Sequence, residues 1–210
     1  MFSVAATPPW SLWDGKDYKN MSDQDEAKFR MIEYHKWKFK AKIFSPLAPL
    51  TVKRTPVLMT RVEYGFLGSY NKYKKSPFET FYMGGDGMSG YSSTYATETI
   101  GLRGYENGSI AGNGGYNSYG YAYSRLSMEL RYPFLLEPSS TIYGLVFVEA
   151  GNAWRDLNPF QLKRSAGVGV RIFLPMIGLM GIDWAYGFDR PDGYDQRGGS
   201  NFHFIIGQEF

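Results

Sequence analysis

The sequence alternates between apolar and polar residues with a period of two along much of its length. In the segment WKFKAKIF, an apolar row of Trp37, Phe39, Ala41 and Ile43 alternates with Lys36, Lys38, Lys40 and Lys42. In a β-strand, such a sequence places the apolar row on one face and four ammonium groups on the other. The same alternation recurs at 58–66, 126–134, 166–172 and 182–186. We therefore predict an all-β, antiparallel fold made of two-faced strands.

About eight strands are predicted, each close to the roughly 9–11 residues that cross a bilayer obliquely. They lie near 1–12, 29–44, 56–70 (or as far as 83), 119–134, 141–153, 164–174, 179–189 and 201–210. Short connections at 45–55, 135–140 and 174–178 alternate with long ones at 14–28, 84–118, 155–163 and 190–200. This alternation is typical of an outer-membrane β-barrel with tight periplasmic turns and large outer loops. It also predicts that Phe210, at the end of the last strand, lies at the periplasmic interface.

The apolar rows need either a protein core or lipid to face. No run of 18 apolar residues is present, which excludes a transmembrane helix but not a transmembrane β-barrel, whose strands hide their signal in alternation. A soluble β-sandwich is the alternative. Charges on nearly every polar row, together with Tyr and Trp at strand ends, favour the membrane. The first residues lack the pattern of a signal peptide, so we expect a mature product or a fragment.

Composition and motif spacing argue against other classes of function. The net charge is only +3 and no block of like charges occurs, so no nucleic-acid partner is expected. The chain has no Cys, which excludes disulfides and cysteine metal sites. Its two histidines, His35 and His203, lie in separate strands without ligand spacing or a catalytic constellation. We predict no metal, no cofactor and no enzymatic activity.

Five segments, in this order, resemble the C-terminal half of the barrel of BamA-type outer-membrane protein assembly factors, in the BamA/TamA/TpsB superfamily. They are SPFETFYMGGDG (76–87), GLRGY (101–105), FVEAGNAW (147–154), SAGVGVRIFLPMIGLMGIDWAYGF (165–188) and FHFIIGQEF (202–210). The resemblance is to a Bacteroidetes-like member. It implies a 16-stranded barrel behind periplasmic domains, of which residues 1–210 would be a single C-terminal segment holding the last eight strands. A long outer loop at 84–118 and a start within a strand at Met1, as in an excised fragment, agree with that interpretation.

The resemblance also implies a loop latch. In the family, a Val-Arg-Gly-Phe/Tyr motif folds back into the barrel and its arginine pairs with acidic wall residues. The matching residues are Arg103, Gly104 and Tyr105, with Leu102 in place of Val, and the wall positions are Glu129 and Glu149. A bidentate guanidinium–carboxylate pair suits this role because a long Gly-rich loop is costly to order. Without the resemblance, Arg103 would be interpreted as a solvated loop residue.

The last strand resembles a β-signal, the C-terminal strand motif that assembly machinery recognises. Its matching residues are Phe202, Phe204, Gly207 and Phe210. In the family, this strand forms a seam with the first strand, and the seam is proposed to open so that a client strand adds to its edge. Plain barrel closure is the alternative interpretation, and the two are not separable from these residues.

These features predict a non-enzymatic protein of the bacterial outer membrane that inserts and folds β-barrel proteins through a lateral seam. Two alternatives remain open: a TpsB-like secretion pore and a small, self-closed structural barrel. The expected partners are outer-membrane lipid and client β-barrel proteins, with accessory assembly lipoproteins in addition. An isolated half barrel would have two exposed edges, and we expect it to form homo-oligomers through them.

Overall fold

Ten strands, one α-helical turn and one 3-10 turn make up the computed structural model, which describes residues 1–22, 25–49, 51, 54–87, 98–110, 119–137, 139–155, 161–176 and 178–207. The strands are β1 (Phe2–Ala6), β2 (His35–Pro46), β3 (Val57–Gly68), β4 (Phe81–Met83), β5 (Glu98–Ile100), β6 (Ala122–Glu137), β7 (Ser140–Trp154), β8 (Lys163–Leu174), β9 (Gly178–Gly187) and β10 (Gly199–Ile206). The 3-10 turn spans Trp10–Leu12 and the helix α1 spans Glu26–Phe29. Among the described residues, no helix is long and apolar enough to span a membrane.

Eight of the strands form a single antiparallel sheet in the order β1-β2-β3-β6-β7-β8-β9-β10. The all-β, antiparallel prediction and the eight-strand count are thereby confirmed. The strands β1 and β10 are the two edges of this sheet, which is therefore open in the part of the chain that is described. The remaining strands, β4 and β5, pair with each other in parallel inside the connection between β3 and β6.

Three predicted boundaries among the first three strands were wrong, and the last strand, predicted to run to 210, ends at Ile206 with Gly207 outside it. The first strand ends at Ala6 rather than near 12, because Pro8 and Pro9 have no N–H to donate and the chain enters the 3-10 turn. The second starts at His35 rather than 29, since the Asp25 side chain caps α1 by accepting from the Ala27 N–H. The third stops at Gly68 and does not continue to 83, where the separate strand β4 ends.

The sheet buries charged side chains on one face and exposes apolar ones on the other, which reverses the distribution in a soluble domain. One face, here called the inner face, is covered by the connection between β3 and β6 and carries buried charged residues. The other, the apolar face, leaves large hydrophobic side chains exposed, including Phe39, Val62, Leu126, Met128, Leu130, Val146, Val148, Val168, Val170, Ile182, Trp184, Phe202 and Phe204. This polarity is typical of strands that face lipid on one side and a polar lumen on the other.

The connections differ strongly in length at the two ends of the sheet. Connections at 47–56, 138–139 and 175–177 are short, while those at 7–34, 69–121, 155–162 and 188–198 lie at the opposite end, here called the long-loop end. The described parts of the 69–121 connection, 69–87, 98–110 and 119–121, include residues that lie across the inner face, where an apolar cluster joins them to the sheet. That cluster comprises Leu67, Phe81, Met83, Ile100, Leu102, Tyr105, Ile110, Tyr123 and Ala153. The apolar cluster brings the residues after β5 against the strands β6 to β10.

Candidate functional site

Arg103 follows β5 in the 69–121 connection and is completely buried against the inner face. Its Nη1 donates to Asp183 Oδ2 at 2.9 Å, and its Nη2 donates to Glu129 Oε1 at 2.5 Å and to Glu149 Oε1 at 2.8 Å. The backbone N–H of Arg103 also donates to Glu149 Oε2 at 3.0 Å. One guanidinium therefore joins carboxylates from β6, β7 and β9, a geometry that its planar fork of donors permits.

Each of these carboxylates also has a second arginine, which comes from the sheet itself. Arg131 donates to Glu129 at 2.7 Å, Arg125 to Glu149 at 2.7 Å, and Arg171 to Asp183 at 2.6 and 2.7 Å. The Arg103 guanidinium carbon lies 3.5 Å from the centroid of the Phe147 ring, which adds a cation–π contact. Each of the three acids would therefore keep an arginine partner from the sheet if Arg103 were removed.

Gly104 places the loop backbone against the ends of β8 and β9. Its φ is +87°, and a Cβ at this position would lie 2.9 Å from Gly187 N and 2.9 Å from Ser165 Cβ. The carbonyl oxygen of Gly104 in turn occupies the space that a Cβ on Gly187 or Gly198 would fill, at 2.3 and 2.5 Å. Glycine at these positions is thus required for the close approach of the two backbones.

Hydrogen bonds from Gly104 and Tyr105 also tie the loop to β10 and β8. The Gly104 N–H donates to His203 Nε2 on β10 at 2.9 Å, in a buried bond. The Tyr105 hydroxyl donates to the Arg164 carbonyl oxygen at 2.6 Å and accepts from the Asp189 N–H at 3.3 Å. Burial raises the pKa of Tyr105 to about 12, which keeps the phenol protonated as a donor. Hydrogen bonds from the Arg164 guanidinium hold the pKa of Asp189 below its usual value.

The His203 bond permits a direct test of how the loop is held. His203→Leu removes the acceptor and leaves the Gly104 N–H buried without a partner, which costs about 1–3 kcal/mol. His203→Gln keeps an acceptor at similar reach and should retain most of the stability. Limited proteolysis of the loop around residue 104 should therefore become faster in His203→Leu only.

The other histidine provides the control for this comparison. His35 lies on the apolar face, away from Gly104, and accepts from the Trp37 indole N–H. His35→Leu should leave proteolysis of the loop at the wild-type rate. Equal proteolysis rates for wild type, His203→Leu and His203→Gln would show that the bond does not hold the loop.

The structure brings five of the sequence-predicted site residues together: Arg103, Gly104, Tyr105, Glu129 and Glu149. Of the predicted terminal residues, Phe202 and Phe204 are exposed on the apolar face, and Gly207 follows β10 with a φ of +78°. Phe210 lies outside the described residues. The latch and β-signal roles themselves remain predictions.

Sequence reasoning missed Asp183, His203 and Phe147 as members of the site. Asp183 and His203 lie on the same alternating rows as other inward residues, and this parity was the available signal. The spacing of His203 in the sequence argues against a metal-binding or catalytic role, and only its parity indicates that it faces inward. Within the described residues, no group of three or more His, Cys, Asp or Glu is arranged to hold a metal ion.

Comparison with known proteins places the chain from β2 to β10 in a family. A family model described as the Omp85 superfamily domain matches residues 28–210. The chain belongs to the Omp85 superfamily. The superfamily that the sequence motifs predicted is thereby confirmed, whereas a Bacteroidetes-like origin stays a prediction. A search of curated proteins found no match.

The Omp85 fold is also supported by solved structures. The chain is similar to the crystal structure of BamA from Haemophilus ducreyi lacking POTRA domains 1-3, with a TM-score of 0.55 and 20% sequence identity. That alignment covers 82% of this chain and 35% of the BamA chain, so this Omp85 chain spans about a third of its relative. The likeness supports the fold of the eight-stranded sheet, and its closure into a barrel stays a prediction.

Membership of the Omp85 superfamily sets the location and the general class of the protein. It is a bacterial outer-membrane protein, as predicted, and the family is a non-enzymatic one that acts in outer-membrane assembly and transport. The apolar face of the sheet is therefore the lipid-facing surface. The inner face is the polar side of the sheet and carries the ion pairs of Arg103 with Glu129, Glu149 and Asp183, here called the Arg103 cluster.

Proposed function

We propose that the native protein containing this chain inserts and folds β-barrel proteins into the outer membrane, with this chain as the C-terminal part of its barrel. In this proposal Arg103, Gly104, Tyr105, Glu129 and Glu149 form a latch that holds the outer loop inside the barrel. The last strand, with Phe202, Phe204 and Gly207, forms the lateral seam. The proposed partners are outer-membrane lipid, client β-barrel proteins and accessory assembly lipoproteins.

The observation that carries the proposal is the hydrogen bond between Gly104 and His203, because it joins the latch to the last strand. The neighbouring residues Arg103 and Tyr105 are held by β6, β7 and β9 and by β8, so the loop motif contacts five strands in total. A docked loop therefore restrains the position of β10 relative to the rest of the wall. A seam strand that is held in place this way can keep its edge straight while a client strand pairs with it.

Support for the seam comes from the pairing of β10 itself. Along its length β10 pairs with β9, from Gly199 opposite Gly187 to Ile206 opposite Met180. Within the described residues no strand pairs with its other edge. We propose that in the native protein this other edge forms the seam, where a client strand can add because main-chain hydrogen bonds supply the affinity. In an isolated segment, the same edge and that of β1 would pair with another copy.

Site-specific photo-crosslinking in the native protein tests the seam. A photo-reactive residue at Phe204 in β10 should crosslink to an unfolded client barrel during its assembly in phospholipid vesicles. The matched control is Val168 in β8, which is also exposed on the apolar face but lies in a strand paired on both sides. We expect client crosslinks at position 204 and few at position 168, with client folding followed by its heat-modifiable gel mobility.

Two results would contradict the proposal. Client folding with equal crosslinking at positions 204 and 168 would rule out the seam as the place of strand addition. Vesicles that fold no client but release a soluble protein through the lumen would instead indicate the secretion pore.

A further inference from the structure

A cationic and aromatic cleft lies at the long-loop end of the sheet, away from the Arg103 cluster. Its lining includes His35 at the start of β2, Phe66 near the end of β3, Lys75, Tyr121 just before β6, and Arg155 just after β7. None of the described residues that line it has a carboxylate. The described lining therefore offers two cations to an anion, and Lys75 also borders a neighbouring cavity that Asp25 and Glu26 help to line.

The two cations are held by tyrosine rings. The Lys75 ammonium lies 5.3 Å from the Tyr121 ring centroid, and the Arg155 guanidinium carbon lies 4.9 Å from that of Tyr119. These two rings contact each other edge to face, with centroids 5.8 Å apart. Lys75 and Arg155 are thus positioned on adjoining rings while their side chains remain exposed. Cation–π contacts leave N–H donors free for an anion, and an arginine fork suits phosphate in particular.

The floor of the cleft continues into the lipid-facing surface. Phe66 is paired with Trp37 across β2 and β3, and the His35 and Phe66 rings lie 5.8 Å apart. His35 and Trp37 share their face with the exposed Phe39, and the next residue of the Phe66 row is the exposed Tyr64. Aromatic residues at this level are typical of the membrane–water interface.

His35 adds a donor at this boundary. Its Nδ1 accepts from the Trp37 indole N–H at 2.9 Å, so the neutral ring has its proton on Nε2. A phosphate bound by Lys75 and Arg155 would have this N–H as a further donor among the residues that line the cleft. The apolar part of such a phosphorylated ligand would then follow the aromatic and aliphatic surface of β2 and β3.

We propose that this cleft binds the phosphorylated headgroup of an outer-leaflet lipid, with Lys75 and Arg155 as the phosphate ligands and Phe66 against the first acyl carbons. Charge complementarity specifies the phosphate, and continuity with the apolar face specifies a lipid rather than a soluble phosphorylated sugar. The site does not depend on the proposed insertion role, because it uses neither the latch nor the seam. It requires only that the long-loop end lies at the outer leaflet.

Lipid binding by the native protein in phosphatidylcholine nanodiscs tests the site. The probe is lipid A, an acylated disaccharide with two phosphates, and bound lipid is counted by native mass spectrometry. Replacing Lys75 and Arg155 with glutamine removes two charge-assisted contacts, and we expect the affinity to fall about tenfold or more. The control pair Lys16→Gln and Arg190→Gln removes two exposed cations from other long connections and should bind like wild type.

Three outcomes would overturn the proposal. An equal loss in the control pair would show that only general charge attracts the lipid. Equal binding of dephosphorylated lipid A by the wild type would remove the phosphate from the recognition, whether or not any variant folds. Equally tight binding of the deacylated, phosphorylated disaccharide would make the cleft a site for a free sugar phosphate rather than for a lipid.

Discussion

Replacing Arg103 with alanine should release the 69–121 connection from the inner face while the eight-stranded sheet stays folded. The change removes three side-chain hydrogen bonds to carboxylates and the contact with Phe147. Breaking one partner of a buried ion pair costs about 3–5 kcal/mol. Here the three acids Glu129, Glu149 and Asp183 still have partners, namely Arg131, Arg125 and Arg171. We therefore expect the free energy of loop docking to fall by about 3 kcal/mol.

In the native protein, protease protection reports whether the loop is docked, and heat-modifiable gel mobility reports whether the barrel is folded. Arg103→Ala should lose the protease protection and keep the heat-modifiable mobility. Arg103→Lys is the matched control, because it keeps the charge but cannot direct donors to three carboxylates at once, and should give intermediate protection. Unchanged protection in Arg103→Ala would mean that the apolar cluster alone docks the loop. Loss of the folded barrel would mean that the arginine stabilises the wall itself.

Replacing Gly104 with alanine should destabilise the docked loop by a similar amount for a different reason. The positive φ costs an alanine about 1 kcal/mol. The added methyl would also lie within 3.0 Å of backbone atoms of Gly187 and Tyr186, and such overpacking costs about 1–3 kcal/mol more. Because neither backbone segment can move without displacing β9, we expect loss of loop protection and of the Gly104–His203 bond.

Gly15→Ala provides the control for the conformational cost of placing alanine at a positive φ. Gly15 has a φ of +63° in another long connection, and nothing lies within 4 Å of a Cβ built there. It should therefore show only the conformational cost of about 1 kcal/mol. Hydrogen exchange at the loop amides is the appropriate measurement for both variants. If Gly104→Ala and Gly15→Ala changed exchange equally, crowding at Gly104 would not contribute to docking.

Much of the architecture could be predicted from the sequence because period-two alternation depends only on neighbouring residues. Lys36 to Ile43 show this: the side of the sheet that each residue faces follows from its parity in the strand. The short and long connections were predicted in the same way, from local turn residues and composition. The boundaries that were wrong, at Ala6, His35 and Gly68, depended on competing local structure, namely a proline-led turn, a capped helical turn and a chain that leaves the sheet.

By itself, the sequence determined an antiparallel, two-faced set of eight strands, and its motifs indicated Arg103, Glu129 and Glu149 as one group. Only the tertiary structure decided that Asp183 completes the cluster and that His203 joins it to the last strand. These contacts cross 80 and 99 residues of the chain. Parity indicates which face of the sheet a side chain occupies but not its position along the strand direction relative to residues on other strands. That position depends on the register of every intervening strand pair, so these contacts form only when the whole sheet is in place.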